Sequence, residues 1–247
     1  MIIPVYKPVG ATPLEAIELL RNKGELGAKE RASYAGRLDP MAQGVLLVLT
    51  GADLDRQKEC ESLDKAYSVE VVCGIDTDSN DMLGMPARVP FGSLTENALQ
   101  SALEIFRGEY TTRVPKFSSV KVSGKTMYAH ARAGDAVCAP ERTTVIHAIT
   151  DVCVGECRGE VLRTEAVEKI NLVAGDFRQQ DISRAWRELS VDEEKFPTIT
   201  FDISCSSGTY IRSLARDLGE ALGTSALVRS LVRTRVGEYA VENCLIV

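Results

Sequence analysis

The stretch Gly44–Thr50, GVLLVLT, constrains the fold more than any other part of the chain. It is a continuous apolar run closed by Gly51, the mark of a strand buried on both faces. Such a strand belongs inside a sheet that is covered on either side.

The segments around it supply sheet and cover. Ile2–Val5 reads as a short strand. Thr12-Pro13-Leu14-Glu15 has capping-box spacing with proline at the first helical position, opening a helix to about Arg21. A Gly- and charge-rich loop follows at Lys23–Glu30. Tyr67–Val72 alternates as a half-buried strand, and Phe117–Val122, Val145–Val154 and Ile199–Cys205 are further strands. Leu94–Phe106 is helical, with Leu99, Leu103 and Phe106 on one face. Ile211, Leu214, Ala215, Leu218 and Leu222 form a second helical stripe, ended by Gly223. The least patterned and most acidic stretch, Glu156–Glu194, holds one helix, with Ile182, Trp186 and Leu189 on its face. Strands and helices do not alternate strictly, so the fold class is α+β, a mixed or antiparallel central sheet flanked by helices. At 247 residues the chain fits one large domain, or one domain with an inserted lobe.

No apolar run approaches the roughly 18 residues of a membrane-spanning helix. The N-terminus MIIPVYKPVG has neither the basic nor the apolar region of a secretory signal. Seven irregularly spaced cysteines, with no C-x-x-C, fit neither a disulfide framework nor a zinc ribbon, so a reducing cytoplasm is expected. A formal charge of −6 argues against nucleic-acid binding by bulk charge, yet the charge is unevenly spread. Arg113, Lys116, Lys121, Lys125, Arg132 and Arg142 stand against only Asp135 and Glu141. Arg212, Arg216, Arg229, Arg233 and Arg235 stand against Asp217 and Glu220. Two basic segments in an acidic body can form a phosphate-binding surface, although charge alone favours solvated faces of ordinary elements.

Two motif fragments fail on inspection. Gly124-Lys125-Thr126 matches the end of a phosphate-binding loop, but Ser119, in an expected strand, stands where that loop needs glycine. Asp76-x-Asp78-x-Asn80 starts like a calcium loop, but Asp81 and Ala87 occupy the positions of its glycine and glutamate. His130 and His147 lack a cluster at metal-ligand spacing. Neither metal nor cofactor is expected.

Ala35-Gly36-Arg37-Leu38-Asp39-Pro40 places a lone acid in a turn just before the buried strand. Read alone, Asp39 is as much a turn former as a catalyst. Its context is larger: Lys7-Pro8-x-Gly10-x-Thr12 upstream, then Lys65-Ala66-Tyr67 and Gly74-x-Asp76-Thr77-Asp78-Ser79-x-Asp81-x-x-Gly84. Val114-Pro115-x-Phe117-Ser118-Ser119-x-Lys121-x-x-Gly124-x-x-x-Tyr128-x-x-Ala131-Arg132-x-Gly134 and Gly208-Thr209-Tyr210-Ile211-Arg212-Ser213-Leu214 follow. In this order, from about Val5 to Tyr239, the motifs resemble the TruB family of tRNA pseudouridine synthases.

The resemblance implies a pseudouridine-synthase-type domain spanning residues 1–247. It would carry an inserted RNA-gripping thumb at about 113–142 and an acidic insertion at about 156–198, with no appended C-terminal RNA-binding domain of the PUA type. It implies an isomerase that converts uridine to pseudouridine in the T-loop of tRNA, at position 55, without metal or cofactor. The partner would be the tRNA T-arm, with no membrane and no obligatory protein partner. Asp39 would be the nucleophile, and Arg212, charged at any relevant pH and able to hold a carboxylate bidentately, its partner. Tyr67 matches the tyrosine that stacks on the flipped base, although its position on an alternating strand also suits a core aromatic. Leu231, in RSLVRTRVG, matches an apolar position beside the target nucleotide, and plain core leucine is the competing reading. Lys7 would support the floor of the substrate site, and Lys116, Lys121, Lys125 and Arg132 would contact RNA phosphates.

The chain departs from the family pattern at several points. Ser33-Tyr34 replaces the usual Gly-His, leaving Tyr34 to meet RNA by stacking or hydrogen bonding. Arg37 replaces the usual threonine, and Tyr6 the usual aspartate before Lys-Pro. A non-catalytic tRNA-binding and folding helper derived from the same family is the alternative reading.

Overall fold

A computed structural model describes residues 1–92 and 94–246. The first half runs β1 (Ile2–Lys7), α1 (Pro13–Asn22), β2 (Ala32–Ala35), β3 (Gln43–Thr50), α2 (Gln57–Ser62), β4 (Lys65–Cys73), β5 (Ile75–Thr77), β6 (Pro86–Arg88) and α3 (Glu96–Ile105). Then come β7 (Gly108–Arg113), β8 (Lys121–Val122), β9 (Lys125–Thr126), α4 (Met127–Ala133), β10 (Glu141–Arg158), α5 (Gly159–Leu172) and α6 (Gln179–Glu188). The chain finishes with β11 (Lys195–Cys205), α7 (Ile211–Ala221), β12 (Ala226–Val236), β13 (Tyr239–Ala240) and β14 (Leu245–Ile246).

The main sheet is ordered β14-β1-β3-β12-β4-β11-β10-β7, with β2 joined to β3 and β13 to β12. It is mixed: β1 with β14 and β3 with β12 are parallel, and the other pairs are antiparallel. Every residue of β3 from Gly44 to Thr50 is buried, as its unbroken apolar run requires. Thr12 and Glu15 form the reciprocal capping box that starts α1. No helix among the described residues is long and apolar enough to cross a membrane.

Alternation along β4 separates two layers. Tyr67, Val69, Val71 and Cys73 pack with Leu99 and Leu103 of α3 and Leu214 and Leu218 of α7. Val72 points the other way, into a cluster with Leu162 and Ile170 of α5 and Ile182 and Trp186 of α6. Residues 156–198 thus supply much of the second layer. Trp186 is fully buried there, its indole Nε1 donating to Met82 O at 3.1 Å.

Three features differ from expectation. Helix α5 had no recognised pattern, because its buried Leu162, Ala166 and Ile170 are interleaved with charged residues. Strand β12, at the centre of the sheet, was also missed. A β-bulge between Val228 and Ser230 shifts its register, so that Val228 and Leu231, an odd number apart, face the same core. Finally, Phe117–Val120 is an irregular loop, and only Lys121–Val122 of the expected strand is extended. That loop belongs to an excursion closed at its base by Val114 N donating to Pro140 O at 3.0 Å. Ser119 therefore lies outside any strand, although its mismatch to the phosphate-loop pattern is unchanged.

Candidate active site

Asp39 lies in the turn between β2 and β3, and Arg212 in the first turn of α7, 173 residues apart in sequence. Arg212 Nε donates to Asp39 Oδ2 at 2.8 Å. Its other arms donate to Ser79 O and Phe117 O, both at 3.0 Å, and Asp81 Oδ2 is 3.7 Å from Nε. The pairing is thus single-pronged toward Asp39; the remaining guanidinium geometry ties together two loops. The Arg212 side chain is 6% exposed and that of Asp39 40%, so a buried cation presents a reachable carboxylate. Burial opposes the charge on Arg212, but Asp39 and Asp81 overcome it and hold its pKa above the usual value. Burial likewise pushes the Asp81 carboxyl up, against the pull of Arg212.

The pair stands where two clefts meet, of about 390 and 560 Å³. Both lie within the roughly 300–1,000 Å³ of ordinary ligand sites. The first is lined by Pro13, Leu14, Tyr34, Phe117, Tyr128 and Phe177, with Arg132 and Arg178. Phe117, Tyr128 and Phe177 meet edge to face, and the Arg178 guanidinium lies 4.6 Å from the Phe117 ring centre. Arg178 has a left-handed backbone (φ 65°) and pairs with Asp78 at 2.9 Å. That backbone conformation is uncommon for a non-glycine residue.

The second cleft is lined by Lys58, Lys65, Tyr67, Arg142, Tyr210, Leu231 and Arg233. Its floor is a β4–β12 patch in which Tyr67 stands opposite Arg233 and Val69 opposite Leu231. Burial pushes the Tyr67 phenol up to about 12, against the charge of Arg233. Arg233 is itself 1% exposed, and donates to Val45 O, Arg37 O and Gly36 O at 2.6, 3.1 and 3.2 Å. It clamps the turn that carries Asp39. Gly44 (φ +106°) permits this, since a Cβ there would overlap the Arg233 main chain.

The structure therefore gathers Asp39, Arg212, Tyr67, Leu231 and Tyr34 around the joined clefts. Lys7 is 0% exposed, and its Nζ donates to Pro8 O and Ala11 O at 2.8 and 2.7 Å, a buried position without an exposed face for RNA. Lys116, Lys121 and Lys125 are exposed on the 114–140 excursion. Arg132, on the same excursion, pairs with Asp176 at 2.7 Å on the rim of the first cleft.

Sequence reading counted Arg233 only within a basic segment for phosphate, which its burial at 1% exposure rules out, and assigned no role to Asp81, Phe177 or Arg178. Arg233 could have been found from Leu231 two residues before it, which shares its face. Phe177 and Arg178 had no local signal. Among the described residues, no group of three or more His, Cys, Asp or Glu side chains could hold a metal ion.

Comparison with known proteins bears on this geometry. The profile of the TruB family pseudouridylate synthase N-terminal domain matches residues 23–159. That of the tRNA pseudouridylate synthase B C-terminal domain matches 212–247. The chain is 32% identical to tRNA pseudouridine synthase B of Xanthomonas campestris over 96% of its length, spanning 64% of that relative. It is also 32% identical to the enzymes so named in Halalkalibacterium halodurans and Bacteroides thetaiotaomicron, covering 98% and 97% of this chain and 68% and 86% of theirs. Among solved structures, a chain of a Cbf5-Nop10-Gar1 complex shares the fold at a TM-score of 0.62 and 21% identity, over 100% of this chain and 52% of that one. A chain of an H/ACA RNP bound to a substrate RNA does so at 0.58 and 20%, over 99% and 50%.

Proposed function

The chain belongs to the TruB family of pseudouridylate synthases, and from that premise we propose that it isomerises a uridine of tRNA to pseudouridine, with the T-loop uridine at position 55 as the target. The observation that carries this reading is the Asp39–Arg212 pair at the junction of two clefts. A nucleophilic carboxylate needs a fixed cation and room for the reacting nucleotide, and this junction offers both.

A stacked uridine cannot reach Asp39, so the target is extruded from the RNA. Tyr67 and Leu231 line the receiving cleft with a ring face and an apolar side chain, suited to a planar base. Arg212 orients the carboxylate without capturing both oxygens, leaving Oδ1 free to attack. The exposed lysines of the 114–140 excursion hold the phosphates on either side, offsetting the few kcal/mol that extrusion costs. In this reading the enzyme needs neither metal, cofactor nor an obligatory protein partner, and acts in the cytoplasm on the T-arm of tRNA.

The test is direct. The protein is incubated with unmodified tRNA, and pseudouridine is mapped by chemical adduct and primer extension. A new stop at the T-loop uridine, absent with Asp39→Asn, is the expected result. RNA bound but unmodified by the wild type would overturn the reading in favour of a binding and folding helper.

A further inference from the structure

Buried cations are normally paired, because removing an ammonium or guanidinium from water costs several kcal/mol. Three cations beneath the Asp39 turn have no carboxylate partner among the described residues. Lys7, Lys65 and Arg233 are 0, 6 and 1% exposed. Every hydrogen bond their side chains make goes to a main-chain carbonyl: Pro8 and Ala11 for Lys7, Glu61 and Leu63 for Lys65, and Val45, Arg37 and Gly36 for Arg233. Only Lys65 and Arg233 line the cleft that also holds Asp39, Tyr67 and Leu231. They lie together under the catalytic turn: a Cβ on Gly36 would sit 3.8 Å from Lys65 Cε and 3.9 Å from Arg233 Nη1.

Lys65 has capacity to spare. An ammonium carries three donors, and two are taken by Glu61 O and Leu63 O, leaving one for an occupant of the cleft. Burial, and then the charge of Arg233, lower its pKa to about 8, while Asp64 and Glu61 pull the other way. It is therefore mostly charged at neutral pH.

We propose that Lys65 is a catalytic residue, with Arg233 as its positioning neighbour, stabilising the negative charge that the uracil ring acquires as it leaves the ribose. The inference rests on the pseudouridine-synthase reading. An Asp39 carboxylate oxygen bonds to C1′ while the C1′–N1 bond breaks, and its electron pair stays with the ring, spread over N1 and the two carbonyl oxygens. The ring turns and C5 bonds to C1′. The C1′–O bond breaks to return the carboxylate, C5 releases its proton and N1 takes one up. Nothing is gained or lost. During the interval Asp39 is an uncharged ester and the ring carries the charge. Arg212, which Asp39 had balanced, then holds an uncompensated charge beside Lys65 and Arg233, and these preorganised cations face the ring across the cleft.

A leaving-group test separates this role from a structural one. Lys65→Met and Lys65→Gln are compared with wild type on T-arm RNA carrying uridine or 5-fluorouridine at the target. Single-turnover rates of C1′–N1 cleavage, read as loss of the starting nucleoside because 5-fluorouracil has no C5 proton to release, are measured at saturating protein, beside RNA affinity and thermal melting. Lys65→Met should convert uridine about 100-fold more slowly, the loss typical of one removed charge-stabilising donor, with affinity within about 3-fold. On 5-fluorouridine, whose ring carries negative charge more readily, the deficit should shrink to about 10-fold or less. Lys65→Gln keeps donors for the two carbonyls, and should show the same dependence on the ring even if Lys65→Met folds poorly. Equal losses on both rings, or a wild-type rate for Lys65→Gln, would overturn the inference. A wild type that fails to convert uridine would overturn the functional reading instead.

Discussion

Replacing Arg212 by lysine keeps the positive charge and removes the geometry. The guanidinium reaches Asp39 Oδ2, Ser79 O and Phe117 O along three directions, from a site 5% exposed. A lysine ammonium on a different stem cannot meet all three. If it settles between Asp39 and Asp81, the Ser79 and Phe117 carbonyls lose their donor. Each orphaned buried acceptor costs about 1–3 kcal/mol, so stability should fall by about 2–6 kcal/mol. At about 2–4 °C per kcal/mol for a domain of this size, melting should drop by roughly 4–24 °C. Asp39 also exchanges a fixed 2.8 Å bond for a mobile one. A hydrogen bond to a charged group contributes about 1.5–3 kcal/mol. At about 1.4 kcal/mol per factor of ten, single turnover should slow by about 10- to 150-fold. The assay is single-turnover conversion of T-arm RNA at 25 °C, well below the variant's melting point, with affinity measured in parallel and expected to change only a few-fold. An Arg212→Lys enzyme with wild-type rate and wild-type melting would refute the argument that the three-way fork, rather than the charge, holds the carboxylate.

Asp39→Asn should lose several orders of magnitude in turnover while binding tRNA within a few-fold, since the amide cannot act as the nucleophile; substantial residual turnover in a rapid-quench assay would exclude that role. Lys116, Lys121 and Lys125 changed together to alanine should weaken tRNA binding and reduce its log–log salt slope by about 2, at about 0.7 per single-stranded phosphate contact. Superimposable salt curves would mean that the excursion is not the grip. Lys7 offers a pH test, because burial lowers its pKa from the usual lysine value to about 7. Between about pH 7 and 10.5 the unfolded chain holds the proton that the folded chain has released, so stability should rise with pH by up to about 1.4 kcal/mol per unit. Lys7→Met should remove that increment from a denaturation series, and an unchanged slope would show that Lys7 does not titrate there.

What could be read from the sequence, and what could not, follows from how far each signal is local. Strand β3 announces itself because both of its faces are buried, and α1 because its cap lies within four consecutive residues. Asp39 and Arg212 were found only through the ordered motifs, since 173 residues separate them and no spacing rule links a turn before one strand to the first turn of a later helix. Strand β12 shows a different limit. Period-two reading places Leu231 on the face opposite Val228, and the bulge reverses this, turning Leu231 and Arg233 toward the cleft shared with Tyr67. A regular strand would have put a buried arginine against the α5–α6 layer and left the Asp39 turn without its clamp. The irregularity that hid the strand is thus what delivers the cation. The same reasoning accounts for the cleft wall at Phe117, where a loop rather than the expected strand leaves a carbonyl free to accept from Arg212. In a paired strand, that carbonyl could have been taken by the sheet ladder. Local regularity here builds the scaffold, and the residues that orient the reacting groups sit where regularity is broken.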